Sequence, residues 1–254
     1  MKLADILKRI NIQEWIGRKD LILTDICYHS NKALPGSIFV AIEGLLSDGH
    51  RYIGDAVSRG AIAIVISRDI SLIDIPSNFA ETGAIVRVDD TRKALSNMAA
   101  NFYDHPSKEM HMVGVTGTNG KTTTTWLIHA ILSLHESNVG QIGSLGILKD
   151  GKWEDSSHTT PESLELQKTL RDMKDLGARA CVMEVSSHAL ALGRVRDINY
   201  DAAVFTNLTH EHLDFHISME QYYKAKRKLF QISKSSHVIN IDDPYGRQLA
   251  AELA

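Results

Sequence analysis

Residues 114–125 read GVTGTNGKTTTT. A lysine between glycine and threonine, in a glycine-rich turn, has the makings of a phosphate cradle. Gly117 and Gly120 let the backbone approach phosphate oxygens with no Cβ in the way. Lys121 supplies a mobile cation for β- and γ-phosphates, and the Thr122 hydroxyl can ligate Mg²⁺. The spacing is unusual. The common pattern G-x-x-x-x-G-K-[ST] needs glycine where Val115 stands, and the nearest glycine, Gly117, gives the tighter G-x-x-G-K-T. HMVGVTG before the loop predicts a buried strand and KTTTTWLIHAILSLH after it predicts a helix. The loop therefore sits where N–H groups and a helix dipole converge on one point. The plainer alternative is a structural turn with an incidental lysine, but the flanking strand and helix are those a phosphate site requires.

Three further stretches carry reactive groups. MEVSSHAL (183–190) places Glu184 at the end of an apolar run. A carboxylate there is costly unless it is paired or metal-bound, and the carboxyl ends of parallel strands line the ligand crevice. Glu184 is thus a candidate Mg²⁺ ligand, the alternative being a strand-edge glutamate in water. NLTHEHLDFH (207–216) holds His210, His212 and His216 with Glu211 and Asp214. H-x-H-x-x-x-H lacks the spacing that would put all three histidines on one zinc ion, and no cysteine is near. A histidine serving a Mg²⁺ site beside phosphate fits better. KAKRKLF (224–230) predicts a basic helix whose ordinary reading is a solvated face, and residue physics alone does not single out Lys226.

These groups need a scaffold. SIFVAI (37–42), AIAIVIS (61–67) and AIVRV (84–88) are short β-branched runs separated by helix-like stretches. They predict a βαβ layout with a mainly parallel sheet. Leu3, Ile6, Leu7 and Ile10 open the chain at helical spacing. A helix over about 91–103 ends at Asp104-His105-Pro106-Ser107, where a domain boundary is placed. In the second half, Trp126, Leu127, Ala130, Ile131 and Leu134 mark one apolar helix face. Strands are predicted at 178–186, 201–208 and 237–242, with helices at 161–176 and 219–232. The fold class is α/β, with two domains.

The 254 residues carry a formal charge of -3, which argues against a nucleic-acid binder, so any anionic ligand must be held by local cations. Cys27 and Cys181 stand far apart, which argues against a disulfide framework or zinc site and fits a reducing compartment. No apolar run approaches the roughly 18 residues of a membrane span, and MKLADILKRI lacks a signal-peptide core. A cytoplasmic protein without membrane insertion is expected, with a monomer as the default.

Taken together, these stretches resemble the Mur ligase family, and within it the branch adding the third residue of the peptidoglycan stem peptide. GTNGKTT is similar to that family's shortened phosphate loop, which accounts for the spacing. HTTPES (158–163), MEVSSHAL, LGRV (192–195) and NLT-x-x-HLD-x-H match further motifs. PGSIFVAIEG (35–44) and DGHRY (48–52) are similar to its UDP-binding module. The loop alone is shared with sister ligases and folylpolyglutamate synthases; the other segments narrow the choice.

The resemblance implies an N-terminal UDP-MurNAc-binding α/β domain over 1–107. A central P-loop-type ATP-binding domain with a doubly wound, mainly parallel sheet would follow over 108–254, incomplete at its C-terminus, and the family's third, C-terminal domain would be absent. It implies an ATP-dependent acid–amino-acid ligase. ATP phosphorylates the D-Glu γ-carboxylate of UDP-MurNAc-L-Ala-D-Glu. A diamino acid, meso-diaminopimelate or L-lysine, attacks the acyl phosphate, and ADP and phosphate are released. By the resemblance, Gly117, Thr118, Asn119, Gly120, Lys121, Thr122 and Thr123 hold ATP. Thr122, Glu184 and His212 serve Mg²⁺. Lys226 is the family's carbamylated lysine, and Lys121, Lys226 and His212 are catalytic. Ser30, His158, Thr159, Thr160, Ser186 and Arg194 contact the UDP-sugar dipeptide. Three positions depart from the pattern: His29-Ser30-Asn31 stands where D-S-R is frequent, Leu192 where some relatives have Gln, and Ser144 where Thr is commoner. By this reading the 254-residue chain alone has no ligase turnover. A P-loop switch ATPase and a stand-alone UDP-sugar-binding module are the competing readings.

Overall fold

The computed structural model describes residues 1–44, 47–69, 71, 75–76, 78–136 and 138–254. They form two compact units, Met1–Asp104 and His105–Ala254. In the first unit the elements run α1 (Leu3–Ile6), β1 (Ile12–Gly17), β2 (Asp25–Cys27), β3 (Ser37–Val40), α2 (Ile53–Ser58), β4 (Ala63–Ile66), α3 (Phe79–Thr82), β5 (Ala84–Val88) and α4 (Thr91–Phe102). The sheet order is β1-β5-β4-β3-β2. β2 to β5 are parallel. Every residue of β3 and β4 is buried, which is why these strands read as unbroken apolar runs. Asp90 caps α4, accepting from the N–H groups of Arg92 and Lys93 at 3.0 Å each.

The amino terminus differs from the expectation. The apolar spacing yields only the single turn α1. Arg9 then adopts φ 68, and IQEWIG continues as β1, antiparallel to β5. A turn of helix makes too few hydrogen bonds to persist on its own, and strand pairing claims the next residues.

The second unit runs β6 (His111–Thr116), α5 (Lys121–Leu132), β7 (Val139–Gly143), β8 (Gly146–Lys149), β9 (Lys152–Glu154), α6 (Ser163–Asp175), β10 (Ala180–Glu184), α7 (Ser187–Ala191), β11 (Tyr200–Phe205), α8 (Leu213–His216), α9 (Met219–Ile232), β12 (Ser233–Ile239) and α10 (Pro244–Leu253). Its sheet order is β12-β11-β6-β10-β7-β8-β9. The first five strands are parallel. β8 and β9 are an antiparallel extension, turned at Asp150 (φ 46) and Gly151 (φ 72), the two positive φ values of a tight hairpin.

Alternate residues of each strand serve opposite faces. Met112, Cys181 and Met183 pack with Leu166, Leu170, Leu229 and Phe230. Val115, Ala180 and Val182 face Ile128 and Leu132 of α5. The apolar stripe anticipated on α5 is therefore the outward one. Thr125, Ile128 and Leu132 point inward, while Trp126, Leu127, Ile131 and Leu134 are exposed. The helix begins at a fixed phase where it leaves the Gly120 turn, and that phase outranks the apolar count. Among the described residues, no helix is long and apolar enough to cross a membrane.

Register positions the chemistry. Glu184 lies beside Val115 and Phe205 beside Thr116. The carboxyl ends of β6, β10 and β11 are thus level, and the loops leaving them share one edge of the sheet.

Candidate active site

β6 ends at Thr116, and the chain turns through Gly117 (φ 152) and Gly120 (φ 81) into α5. Both glycines occupy backbone conformations that L side chains avoid. Gly117 also has no room: a Cβ there would strike the Thr206 hydroxyl and come within 3.1 Å of the Asn207 nitrogen. The turn after β11 fastens the loop. Thr118 N–H donates to the Asn207 carbonyl at 2.9 Å and Asn119 N–H to Asn207 Oδ1 at 2.9 Å. Thr206 Oγ1 donates to the Asn119 carbonyl at 2.7 Å. Gly117→Ala is accordingly expected to lower stability by about 1–3 kcal/mol and to dislodge the loop. Denaturant unfolding with ADP titration checks this, and a variant matching the parent in both would refute it.

Two lysines meet at this loop. Lys121 Nζ donates to the carbonyls of Gly117 (3.0 Å) and Thr118 (2.8 Å). Lys226 Nζ donates to the same Gly117 carbonyl at 2.6 Å and lies 4.7 Å from the centre of the Tyr222 ring. The solvated-face reading of KAKRKLF therefore fails at this residue. Lys224 is exposed and pairs with Glu220, but Lys226 is 1% exposed. Burial first, and Lys121 second, push its amine down to about 7, with Glu211 opposing. Burial also lowers Lys121, against the pull of Glu184 and Glu211. Thr122 is half-buried in the first turn of α5 and Thr123 is exposed.

Glu184 is buried at the end of β10. Its Oε1 accepts from Ser144 N–H at 2.8 Å and its Oε2 from the Ser144 hydroxyl at 3.3 Å. The Ser144 hydroxyl lies 3.1 Å from that of Thr159. Thr160 Oγ1 donates to the Glu184 carbonyl at 2.9 Å and accepts from Ser186 N–H at 3.0 Å. Arg194 Nη1 donates to the Thr160 carbonyl at 3.1 Å, and its Nε pairs with Glu162 at 3.3 Å. Thr159, Thr160, Ser186 and Arg194 thus converge with Glu184. His158 stays outside this knot, exposed and bonded to the Ser157 hydroxyl at 2.9 Å. Ser30 begins a short turn in the first unit, and its hydroxyl is the main influence holding Asp55 below its ordinary pKa.

The histidines take separate positions. His212, at φ 55, precedes α8. Its ring is 44% exposed and 3.7 Å from Glu211. It meets the His188 ring edge-on at 4.9 Å. His216 is buried against the Ser187 hydroxyl at 2.9 Å, and burial, then His188, push it down to about 4. His216 is therefore neutral near pH 7. Among the described residues, no three His, Cys, Asp or Glu side chains form a metal cage. A cation here would draw on oxygen donors such as Glu184 and Thr122, with phosphate and water completing its shell. That donor set suits a hard ion such as Mg²⁺.

Sequence reasoning passes over Ser187, His188, Thr206, Asn207, Thr209 and Tyr222, whose partners lie far away in the chain. Asn207 alone carries a hint, being an asparagine immediately after a strand.

Comparison with known proteins supplies the family. Residues 115–254 match the family described as Mur ligase middle domain, and residues 23–103 match the Mur ligase family, catalytic domain. The chain is 44% identical over 254 residues to the UDP-N-acetylmuramoyl-L-alanyl-D-glutamate--2,6-diaminopimelate ligase of Alkaliphilus metalliredigens, covering 100% of this chain and 50% of that protein. The ligase of the same name from Clostridioides difficile is 42% identical over 249 residues, with 98% and 50% covered. A solved structure bearing that ligase name superposes with a TM-score of 0.80 at 25% identity, over 100% of this chain and 50% of that one. A MurF ligase from Thermotoga maritima in complex with ADP gives 0.60 at 25% identity, with 92% and 50% covered. The chain spans about half the length of the curated relatives it matches. A shortened phosphate loop after β6, a buried carboxylate closing β10, two unrelated stretches of family match and a shared backbone all lead to one statement: the chain belongs to the Mur ligase family.

Proposed function

We propose that this chain carries the nucleotide-binding and acceptor-binding parts of an ATP-dependent ligase that extends UDP-N-acetylmuramoyl-L-alanyl-D-glutamate with 2,6-diaminopimelate. The reading rests on one observation. Lys121, Lys226 and Glu184 meet at the carboxyl ends of β6 and β10, beside the hydroxyls of Thr159, Thr160 and Ser186 and the Arg194 guanidinium. The relatives' names supply the substrates.

Residues Gly117 to Thr123 take the phosphates, with Lys121 leaving its two carbonyls for the β- and γ-oxygens. Mg²⁺, held by Thr122 and Glu184 with His212 alongside, would neutralise phosphate charge when bound. Arg194 and the three hydroxyls orient the D-Glu γ-carboxylate for phosphorylation. Arginine suits that task because its planar fork matches a carboxylate. Transfer of this kind needs alignment and charge neutralisation more than covalent help from the protein.

Lys226 fits a carbamate. A lysine poised near neutrality presents free amine, which adds to CO₂ with loss of one proton. The product is an anion where a buried cation stood, an added oxygen donor toward Mg²⁺. In the first unit, Ser30 is assigned to the UDP-sugar.

Calorimetric titration tests the acceptor reading. UDP-MurNAc-L-Ala-D-Glu is expected to bind at least about tenfold tighter than UDP-MurNAc-L-Ala, the margin a charge-assisted hydrogen bond provides. Equal affinities would remove the γ-carboxylate from the Arg194 site.

A further inference from the structure

Tyr222 joins three parts of the site that the reading above treats separately. It stands four residues before Lys226 on α9, so the two side chains share a helix face, and each is 1% exposed. Lys226 reaches the Gly117 carbonyl, and the Tyr222 hydroxyl lies 3.2 Å from Thr118 Oγ1, one residue along the loop. That same oxygen accepts from Thr209 N–H at 3.0 Å. The His216 ring stacks on the Tyr222 ring, 4.9 Å apart and 27° from parallel. His216 Nε2 in turn meets the hydroxyl of Ser187, in the turn after β10, at 2.9 Å.

Core packing accounts for the ring and not for its oxygen. Phenylalanine would fill the same space, and a buried hydroxyl costs stability unless it is bonded. Here the oxygen meets the Thr118 hydroxyl, on the loop assigned to phosphate, while the ring meets His216, which bonds Ser187 beside the Ser186 assigned to the acceptor. The β6–β10 ladder sets the level of the two strand ends, but Thr118 lies beyond that ladder, and the phenol ties its side chain to α9.

We propose that Tyr222 is a positioning residue whose hydroxyl clamps Thr118 of the phosphate loop to α9, holding the loop in place for nucleotide phosphate. The inference rests on the reading that this loop binds nucleotide phosphate. The Tyr222 hydroxyl touches no reacting atom, so its effect is read through Thr118.

A double-mutant cycle on the 254-residue chain tests it, using ADP with Mg²⁺ as the titrant and circular dichroism to check folding. Tyr222→Phe is expected to weaken ADP binding about five- to tenfold, as loss of one buried hydrogen bond does. In the Thr118→Val background the same change is expected to cost nothing further, because the partner is already gone. A purely structural tyrosine would reduce affinity by the same factor in both backgrounds, and that result overturns the clamp. So does unchanged binding by Tyr222→Phe. Thr118→Val alone removes the hydroxyl that the phenol holds while leaving the tyrosine in place. It is expected to weaken ADP by a factor similar to that of Tyr222→Phe, and an unchanged value overturns the clamp even if Tyr222→Phe does not fold. A parent chain that fails to bind ADP overturns the phosphate-loop reading itself, and this inference with it.

Discussion

Lys121→Met is expected to weaken ADP binding by about a hundredfold to a thousandfold while leaving the fold intact. The ammonium is half-buried and lies at 2.8–3.0 Å from two carbonyls of its own loop. Those carbonyls are modest partners, and phosphate oxygens carry full charge. A charge-assisted bond in a partly dry site is about twice as strong as a neutral one, and removing one partner of a buried charge pair typically costs about 2–5 kcal/mol. Methionine keeps the apolar stem, so packing on α5 survives. Calorimetry on parent and variant reads the loss directly. A change below about threefold would mean that Lys121 does not meet phosphate. A second effect follows from the same geometry. Lys121 is one of the two influences that depress the Lys226 amine, after burial. Its removal is expected to make Lys226 more basic, visible as an upward move in the titration of a ¹³C-labelled lysine side chain.

Much of this is legible in the residues alone. Strands buried on both faces, such as SIFV and AIVI, announce themselves by unbroken apolar runs, and the Gly117–Thr122 turn announces its chemistry by residue type. Sequence fails where the deciding interaction is distant or geometric. β1 escapes it because its pairing with β5 spans some seventy residues and is antiparallel in an otherwise parallel sheet. On α5 and just beyond it, Trp126, Leu127, Ala130, Ile131 and Leu134 mark the apolar face in the sequence. The helix instead takes its phase from Gly120, buries Thr125 and packs the half-buried Ile128 and Leu132 on the sheet. Lys226 illustrates the limit most clearly. In KAKRKLF it is one basic residue among several, and only a fold that brings it 2.6 Å from a carbonyl 109 positions away makes it special. Resemblance to a family singles it out; residue physics does not. Tyr222 has no such aid, since a tyrosine on an amphipathic helix reads as core and its contacts with Thr118 and His216 exist only in three dimensions.

Lys226→Met is expected to raise thermal stability at pH 7 by about 5–10 °C while abolishing any bicarbonate-dependent change in the protein. Burial takes the amine from its ordinary 10.5 down to about 7. Each tenfold change in an acid dissociation constant corresponds to about 1.36 kcal/mol, so holding this lysine inside costs the folded state several kcal/mol. The cost is full at and below pH 7. Between about 7 and 10.5 the unfolded chain binds more protons than the folded one, so stability rises with pH through that window and levels off above it. Methionine fills a similar volume without the charge. It forfeits the bond to the Gly117 carbonyl, worth about 1 kcal/mol, and leaves a net gain of at least about 2 kcal/mol, which in a chain of this length corresponds to the stated rise in midpoint. The difference between parent and variant should shrink steadily from pH 7 to pH 10 in parallel melts. A variant less stable than the parent, by a margin independent of pH, would show that the buried nitrogen is already compensated and would refute the argument. Bicarbonate separates the remaining possibilities. If the free amine forms a carbamate, bicarbonate stabilises the parent by mass action, most strongly near and above pH 7 where the amine is unprotonated, and does nothing to the methionine variant. A residue that destabilises its own fold by this much, and that a simple substitution would relieve, is there for what it does in the site.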